Sequence, residues 1–181
     1  MQPISTERTL ITLVRTDDAE DLRTYYLRNS EHLARWEPLR LEDYHSVDAW
    51  KDRARDFAGE ALRGFAYRYV VRFKGSREII AVANFTNVVR GAFLACHLGY
   101  SIDREVQGKN IMFEVLDTLI PHVFNTYGLH RVMANYIPEN ARSGALLARL
   151  GFEVEGRARD YLKINGEWRD HVLTARINDA R

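Results

Sequence analysis

In the stretch "DREVQGKNIMFEVLDTLI", Gln107-Gly108-Lys109-Asn110 runs straight into residues whose apolar members recur at helical intervals. The first amides of a helix lack partners, and the helix dipole turns its positive end outward there. A glycine at such a start lets an anion reach the backbone, and Lys109 adds charge. The natural anion is a phosphate, yet neither G-x-x-x-x-G-K-[ST] nor G-x-G-x-x-G occurs, which argues against a nucleotide triphosphate machine. The same residues read equally as a plain loop with a solvated lysine. His97, in "AFLACHLGY", has the residue type of a general base, with an unperturbed pKa near ~6.5, but also that of a satisfied core histidine. Asn140 and Ser143 sit three apart where a helix should start, the spacing of an N-cap and its first turn. Asp160, in "RARDYLKI", is a carboxylate beside Arg157 and Arg159, the setting of a solvated acid. Cys96 is the sole cysteine, so neither a disulfide framework nor a zinc spacing is present, and its neighbours suit a small buried side chain.

The elements that must position these residues follow from periodicity. "TLITLVR" reads as a strand, and "TDDAEDLRTYYLRN" as a helix with acids in its first turn. Pro38 interrupts "RWEPLR"; "SVDAWKDRARDFAGEALRG" then resumes helical spacing, with Ser46 or Asp48 as cap and Gly64 as stop. Aromatic and β-branched runs separated by Lys74-Gly75-Ser76 and Arg90-Gly91 predict an antiparallel meander over 65–73, 78–89 and 92–102. Ile111, Met112, Val115, Leu116, Leu119, Ile120 and Val123 predict a long amphipathic helix. "RVMANYI" follows as a short strand, "PENARSGALLARLGF" as a helix ended by Gly151, and "YLKINGEWRDHVLTARI" as a hairpin around Asn165-Gly166. The order predicts a mixed α/β (α+β) fold: a mainly antiparallel sheet of about seven strands with one strand–helix–strand crossover.

With 181 residues, 46% of them hydrophobic, the chain can bury a full core, and no linker or repeat divides it, so a single domain over residues 1–181 is expected. Twenty-six basic against 25 acidic residues leave a formal charge of +1, which removes the electrostatic footprint of a dedicated nucleic-acid binder. The polar start "MQPISTERTL" and the absence of a long uncharged run predict no membrane span and a cytoplasmic location.

"GYSIDREVQGKNIMFEVLDTLI" followed by "LHRVMANYIPENARSGALLARLGFEVEGRARDYLKINGEWRDHVLTA" resembles the GNAT superfamily of N-acetyltransferases, most closely its Rim branch of the RimJ type, which acts on ribosomal-protein alanines. "STERTLITLVRTDDAEDL", "RWEPLR", "VANFTNVVRG", "N-x-x-S…LLARLGF" and "GEWRDH" fall in the family's order, so the resemblance covers nearly the whole chain. It implies the GNAT fold, with central strands splayed apart, and acetyl-CoA as acetyl donor. The family's [RQ]-x-x-G-x-[GA] motif would read Gln107 to Met112, with departures at Asn110 and Met112 that bear on how closely the pyrophosphate is held. Asn tolerates unusual backbone angles better than most residues.

By that resemblance the cofactor is held by Gln107, Gly108, Lys109, Asn110, Ile111 and Met112, by Tyr100, Ser101 and Ile102 on the splayed strand, and by Asn135, Asn140 and Ser143. Ser143 becomes the proton donor to the departing thiol. Asp160 falls where a Rim relative carries a carboxylate, and His97 where many members carry a glutamate; either would take the amine's proton. Trp36, Glu37, Asn84, Asn87, Arg90 and Trp168 would line an acceptor groove, Glu37 meeting the positive amine. The implied reaction is acetylation of the N-terminal alanine of a ribosomal protein, most naturally of the small subunit, with ribosome association a possible corollary. An α-amine with pKa of about 7.7–8.0 is partly neutral at pH 7, whereas a lysine is not, so N-terminal amines are the easier target. Two other readings stand beside it: a polyamine or aminoglycoside acetyltransferase, whose pocket should be rich in acids, and a non-catalytic acyl-CoA-binding or ribosome-assembly factor.

Overall fold

The computed structural model describes residues 2–40 and 42–179. In chain order the elements are β1 (Ile4–Ser5), β2 (Thr9–Leu13), α1 (Ala19–Arg28), α2 (Ser30–Ala34), α3 (Val47–Arg63), β3 (Tyr67–Phe73), β4 (Ile79–Val89), β5 (Ala95–Ile102), α4 (Ile111–Tyr127), β6 (Arg131–Met133), α5 (Ala141–Arg149), β7 (Glu153–Ile164) and β8 (Glu167–Ile177). The strands form one eight-stranded sheet in the order β1-β2-β3-β4-β5-β6-β8-β7. Every neighbouring pair is antiparallel except β5 and β6, which α4 joins as the single crossover. The expected count of about seven is exceeded by the two-residue β1, too short to leave a pattern in sequence.

Both faces of the sheet's centre are covered, and strand alternation assigns each side chain to a face. Tyr69, Val71, Ala81, Ala83, Phe85, Cys96 and Leu98 pack with the apolar stripe of α4 and with Leu147 of α5. Val70, Ile79 and Val82 pack instead with Leu22 and Tyr25 of α1 and Trp50 and Ala54 of α3. Thus His97, Gly99 and Ser101, out of phase with Cys96 and Leu98, belong to the face of α1; Ser101 Oγ lies 2.9 Å from Tyr25 Oη of that helix. Helix α3 begins as expected, Ser46 Oγ accepting from the Ala49 amide, and ends at Gly64 in the left-handed region.

The feature that matters for function lies between β5 and β6. Their parallel pairing extends only through Ala95↔Arg131, Cys96↔Val132 and His97↔Met133. Beyond it β5 continues along β4, from Leu98↔Phe85 to Ile102↔Ala81, while the chain after β6 turns to β8 through Ala134 and Tyr136. Residues 98–102 therefore have a strand partner on one side only, and a wedge opens with its vertex at His97. Two bulges shape the surroundings. One interrupts β4 at Asn87 (φ 52°), and the other interrupts the β7–β8 pairing between Ala158 and Leu162, with Asp160 at φ 46°.

Candidate active site in the wedge between two strands

The wedge opens toward the start of α4, where the Gly-Lys turn sits. Gly108 (φ 74°) and Asn110 (φ 61°) are both left-handed, so the turn coils twice before the helix begins. An added Cβ at Gly108 would meet nothing within 4 Å, so this glycine is required by its backbone angle and not by crowding. Asn110 occupies the N-cap position yet makes no capping bond; its side-chain oxygen accepts from Arg149 instead, at 3.0 Å. The first-turn amides of α4 thus lack a side-chain acceptor, the condition for an anion site. Met112 resolves one departure from the family motif: its side chain is buried in the core beneath α4, which leaves only its amide at the helix start.

Contacts distant in sequence hold this turn. Arg8 donates to the Lys109 carbonyl at 3.0 Å and pairs with Glu114 of the first helical turn at 2.6 Å. Thr6, Arg8 and the Arg8 amide hold the Glu114 carboxyl below the usual carboxylate range, against the opposing effect of its burial. On the other side, buried Asp103 accepts from Arg28 (2.6 Å), Asn29 (3.1 Å) and the Glu105 amide (2.8 Å), and Asn29 accepts from the Arg104 amide. The end of α1 is thereby tied to the segment between β5 and α4. Gln107 Oε1 accepts from Arg142 at 3.1 Å, and its amide nitrogen lies 2.7 Å from His32 Nε2. Arg142 and Arg149, both on α5, therefore add two guanidinium groups to the side of the turn. Lys109 itself is exposed.

Across the wedge, Ser143 on α5 meets Tyr100 on β5, with 2.7 Å between their hydroxyl oxygens. The Ser143 amide is capped by Asn140 Oδ1 at 3.2 Å, so the capping role expected of Asn140 is present, and the serine hydroxyl is left for the wedge. Burial pushes the Tyr100 phenol up to about 12, against the lowering effect of Ser143. Both oxygens therefore carry a hydrogen at neutral pH, and since one hydrogen bond uses one of them, the pair has a second to offer. The ring of Tyr136 lies against the same helix: a Cβ on Gly144 would fall 2.8 Å from it, so only glycine fits there. Ile102 packs on the α4 side and Ser101 on the α1 side, so the unpartnered end of β5 presents backbone groups to the wedge.

The opposite face of the sheet carries the titratable groups. His97 stands at the vertex, half-buried, with Nδ1 buried and without a hydrogen-bond partner; desolvation lowers its pKa. Asn84, paired with Gly99, shares this face. Asn135 follows the last β5–β6 pair by two residues; it accepts from the Thr174 amide (3.2 Å) and donates to Tyr161 Oη (3.2 Å). Asp160, on the bulge, is exposed, and its amide donates to Asp170 Oδ1 at 3.1 Å. It is Tyr161, one residue later, that reaches Asn135.

The proposed groove residues separate. Glu37 lines a pocket of about 220 Å³ with Tyr26, Tyr44, Arg40 and Asn165; its carboxylate pairs with Arg40 at 2.6 Å, and its carbonyl accepts from the Asn165 amide at the β7–β8 turn. Trp36 precedes it, under the guanidinium of Arg35 at 4.7 Å. Trp168 is exposed on the same hairpin, and Asn87 is exposed on the β4 bulge. Arg90 turns to the far end of α4, where it donates to the Tyr127 carbonyl and to Tyr67 Oη. Sequence reasoning did not single out Arg8, Arg142, Arg149, Gly144, Tyr161 or His171. Of these, Gly144 carries a local signal, a glycine inside a helix that is otherwise well formed, and His171 ends the fragment "GEWRDH".

Such a wedge beside an open helix start suits an elongated ligand that ends in an anion: its amides can pair with β5 as a strand would, and its anion can sit on the α4 amides. Residues 8–153 match the acetyltransferase (GNAT) domain family. The chain is 49% identical over 172 residues, 95% of its length and 89% of the relative's, to the [ribosomal protein uS5]-alanine N-acetyltransferase of Escherichia coli (strain K12). The ribosomal-protein-S5-alanine acetyltransferase of Vibrio fischeri superposes with a TM-score of 0.95 at 39% identity, covering 99% of this chain and 98% of that one. Mycobacterium smegmatis RimJ, solved in complex with CoA-disulfide, gives 0.89 at 30% identity, covering 99% and 91%. The chain therefore belongs to the GNAT family, acetyltransferases that draw their acetyl group from acetyl-CoA.

Proposed function

We propose that this protein acetylates the α-amine of the N-terminal alanine of a small-subunit ribosomal protein, uS5 or its counterpart. The observation that carries the reading is the 49% identity, over 95% of the chain, to an enzyme named for that reaction. One catalytic domain would span residues 1–181.

The residues present fit acetyl-CoA. The uncapped amides from Gln107 to Met112 would receive the pyrophosphate, with Arg142 and Arg149 flanking it, and the free edge of Tyr100 to Ile102 would pair with the pantetheine amides. When bound, the cofactor supplies an acyl carbon already activated as a thioester. The chain's own work is then to hold the neutral amine, exclude water and hand over a proton. Ser143 Oγ is the proton donor of this reading: Asn140 fixes its backbone, and Tyr100 Oη shares its hydrogen-bonding position. His97 and Asn84, on the opposite face, and Trp36, Glu37 and Trp168 toward the β7–β8 turn, would frame the acceptor.

A polycationic acceptor is less well matched. Glu37, the acid expected to meet a positive amine, is already paired with Arg40. As a separate matter, no group of three or more His, Cys, Asp and Glu able to hold a metal ion occurs among the described residues. Nor, among those residues, is any helix long and apolar enough to cross a membrane. The deciding experiment measures CoA release with alanine-starting and serine-starting peptides, spermidine and kanamycin. The alanine peptide should give the highest kcat/KM; a preference for spermidine or kanamycin, or no CoA release with any acceptor, would overturn the reading.

A further inference from the structure

Beside the wedge, two side chains outside the residues expected to act, His171 at the end of "GEWRDH" and Tyr161, have their hydrogen positions fixed by their partners. The Thr174 amide can only donate, so the Asn135 atom it meets is the oxygen, and the nitrogen of the same side chain must donate to Tyr161 Oη. The Tyr161 hydroxyl therefore accepts from Asn135 and keeps its own hydrogen to give elsewhere. His171, 4% exposed, has Nδ1 at 3.0 Å from the Arg169 carbonyl, which can only accept. Nδ1 thus carries the hydrogen of the neutral ring, and Nε2 carries the lone pair. The two rings lie 5.4 Å apart. A hydrogen-bond donor and an acceptor thus lie side by side, tied through Asn135 to the chain two residues past the last β5–β6 pair.

That pairing matches the first residue of a peptide. Its amine nitrogen and carbonyl oxygen lie about 3 Å apart across one Cα, so one end offers hydrogens and the other accepts one. Lysine side chains and polyamines have no carbonyl at that distance. We propose that His171 and Tyr161 together read the acceptor's first residue: His171 Nε2 takes a proton from the α-ammonium, and Tyr161 Oη donates to that residue's carbonyl. In the proton transfer an N–H bond of the ammonium breaks, an Nε2–H bond forms, and the positive charge passes to the imidazole, leaving the amine lone pair free. The inference rests on the reading that the acceptor is a peptide N-terminus.

His171 suits this better than the two groups that sequence brings forward. Nothing fixes the tautomer of His97, whose Nδ1 is unpartnered, and Asp160 is exposed on the bulge. The charges nearest His171 on its own strand are already paired, Arg169 with Glu139 at 2.9 Å and Asp170 with Arg157 at 3.0 Å. From β7, Ala158 is its register partner and the uncharged Tyr161 its ring contact.

The test compares an alanine-starting peptide with the same peptide whose first carbonyl is reduced to a methylene. His171→Asn keeps a nitrogen donor for the Arg169 carbonyl but removes Nε2. It should retain the melting temperature, lower kcat/KM on the peptide about 100-fold and leave an acid limb set by the peptide amine alone, at about 7.7–8.0, whereas His97→Gln keeps the wild-type profile. Tyr161→Phe should cost about 10-fold on the peptide and nothing on the reduced analogue. In the resting protein, ¹⁵N NMR of His171 should show the hydrogen on Nδ1. An Nε2–H tautomer, a His171→Asn enzyme with the wild-type pH profile, or an equal Tyr161→Phe loss on both acceptors would overturn the proposal. A wild-type enzyme inactive on the alanine peptide would instead defeat the substrate reading, and this inference with it.

Discussion

The start of helix α4 lies against α5, linked to it by Arg142 through Gln107 and by Arg149, the last residue of α5, through Asn110, yet the first turns of the two helices are finished differently. At α5, Asn140 accepts from the Ser143 amide and the start is closed by its own sequence, as Ser46 closes α3. At α4 the residue in the same position, Asn110, is left-handed and gives its oxygen to Arg149, so the amides behind it stay open. A side-chain cap contributes about 1 kcal/mol to a helix. Helices α1 and α2 also start without a side-chain cap, so what sets the α4 start apart is the combination of open amides, two left-handed residues before them and the wedge alongside. The contrast assigns different work to the two starts: binding at α4, and at α5 the orientation of one hydroxyl.

The largest effect should come from destroying the open start. Gly108→Val places a β-branched residue at φ 74°, a backbone state that costs on the order of 1–3 kcal/mol for such side chains. Because no atom lies within 4 Å of the new Cβ, the turn can relax outward and α4 should survive. Calorimetric titration with acetyl-CoA should show affinity falling by about 100-fold, with far-UV dichroism unchanged. Unchanged affinity would mean that the open start of α4 is not where the cofactor's phosphates sit.

At the closed start, Ser143→Ala and Asn140→Ala separate chemistry from stability. The Asn140 cap bonds the amide of residue 143, which alanine retains, so Ser143→Ala should leave the melting temperature in place. Its turnover should fall about 10-fold with little change in KM for acetyl-CoA, a smaller loss than general acids often show, because a thiol with pKa near ~8.5 departs readily without help. Asn140→Ala should cost about 1 kcal/mol in denaturant unfolding and should disturb turnover less than Ser143→Ala does. The reverse ranking would make Ser143 part of the cap alone.

How far sequence reaches into this architecture depends on how local each feature is. The stripe from Ile111 to Val123 and the stops at Gly64 and Gly151 are written within a few residues, and they appear where expected. The clamp of Arg8 on Glu114, the tie of Asn29 to Asp103 and the reach of Arg149 to Asn110 join residues 106, 74 and 39 positions apart, and nothing near either partner announces the other. The bulge at Asp160 hides information differently. Between Ala158 and Leu162 β7 advances four residues while β8 advances two, from His171 to Arg169, so two extra residues are taken up around the left-handed Asp160; the chain brings Tyr161 to Asn135 and leaves Asp160 exposed, an irregularity invisible in a run of mixed polar residues. Arg90 shows a third limit: a turn arginine has the composition of a ligand-binding residue, and only the fold shows it bonded to the end of α4.

The smallest effect probes what Asn110 itself contributes. It stands where the family motif has glycine, and its φ of 61° explains why asparagine is acceptable there. Asn110→Ala keeps the left-handed demand without asparagine's tolerance for it and loses the Arg149 bond, so unfolding free energy should fall by about 1 kcal/mol. Asn110→Gly loses the same bond but removes the backbone strain, while its freer unfolded chain offsets part of that relief; stability should stay within about 0.5 kcal/mol of wild type. Acetyl-CoA affinity should follow the same order, glycine at or near wild type and alanine below it, because the anion would contact the amides of the turn and not the Asn110 side chain. If both substitutions weaken binding equally, the Arg149–Asn110 bond, and not the backbone angle, is what shapes the open start of α4.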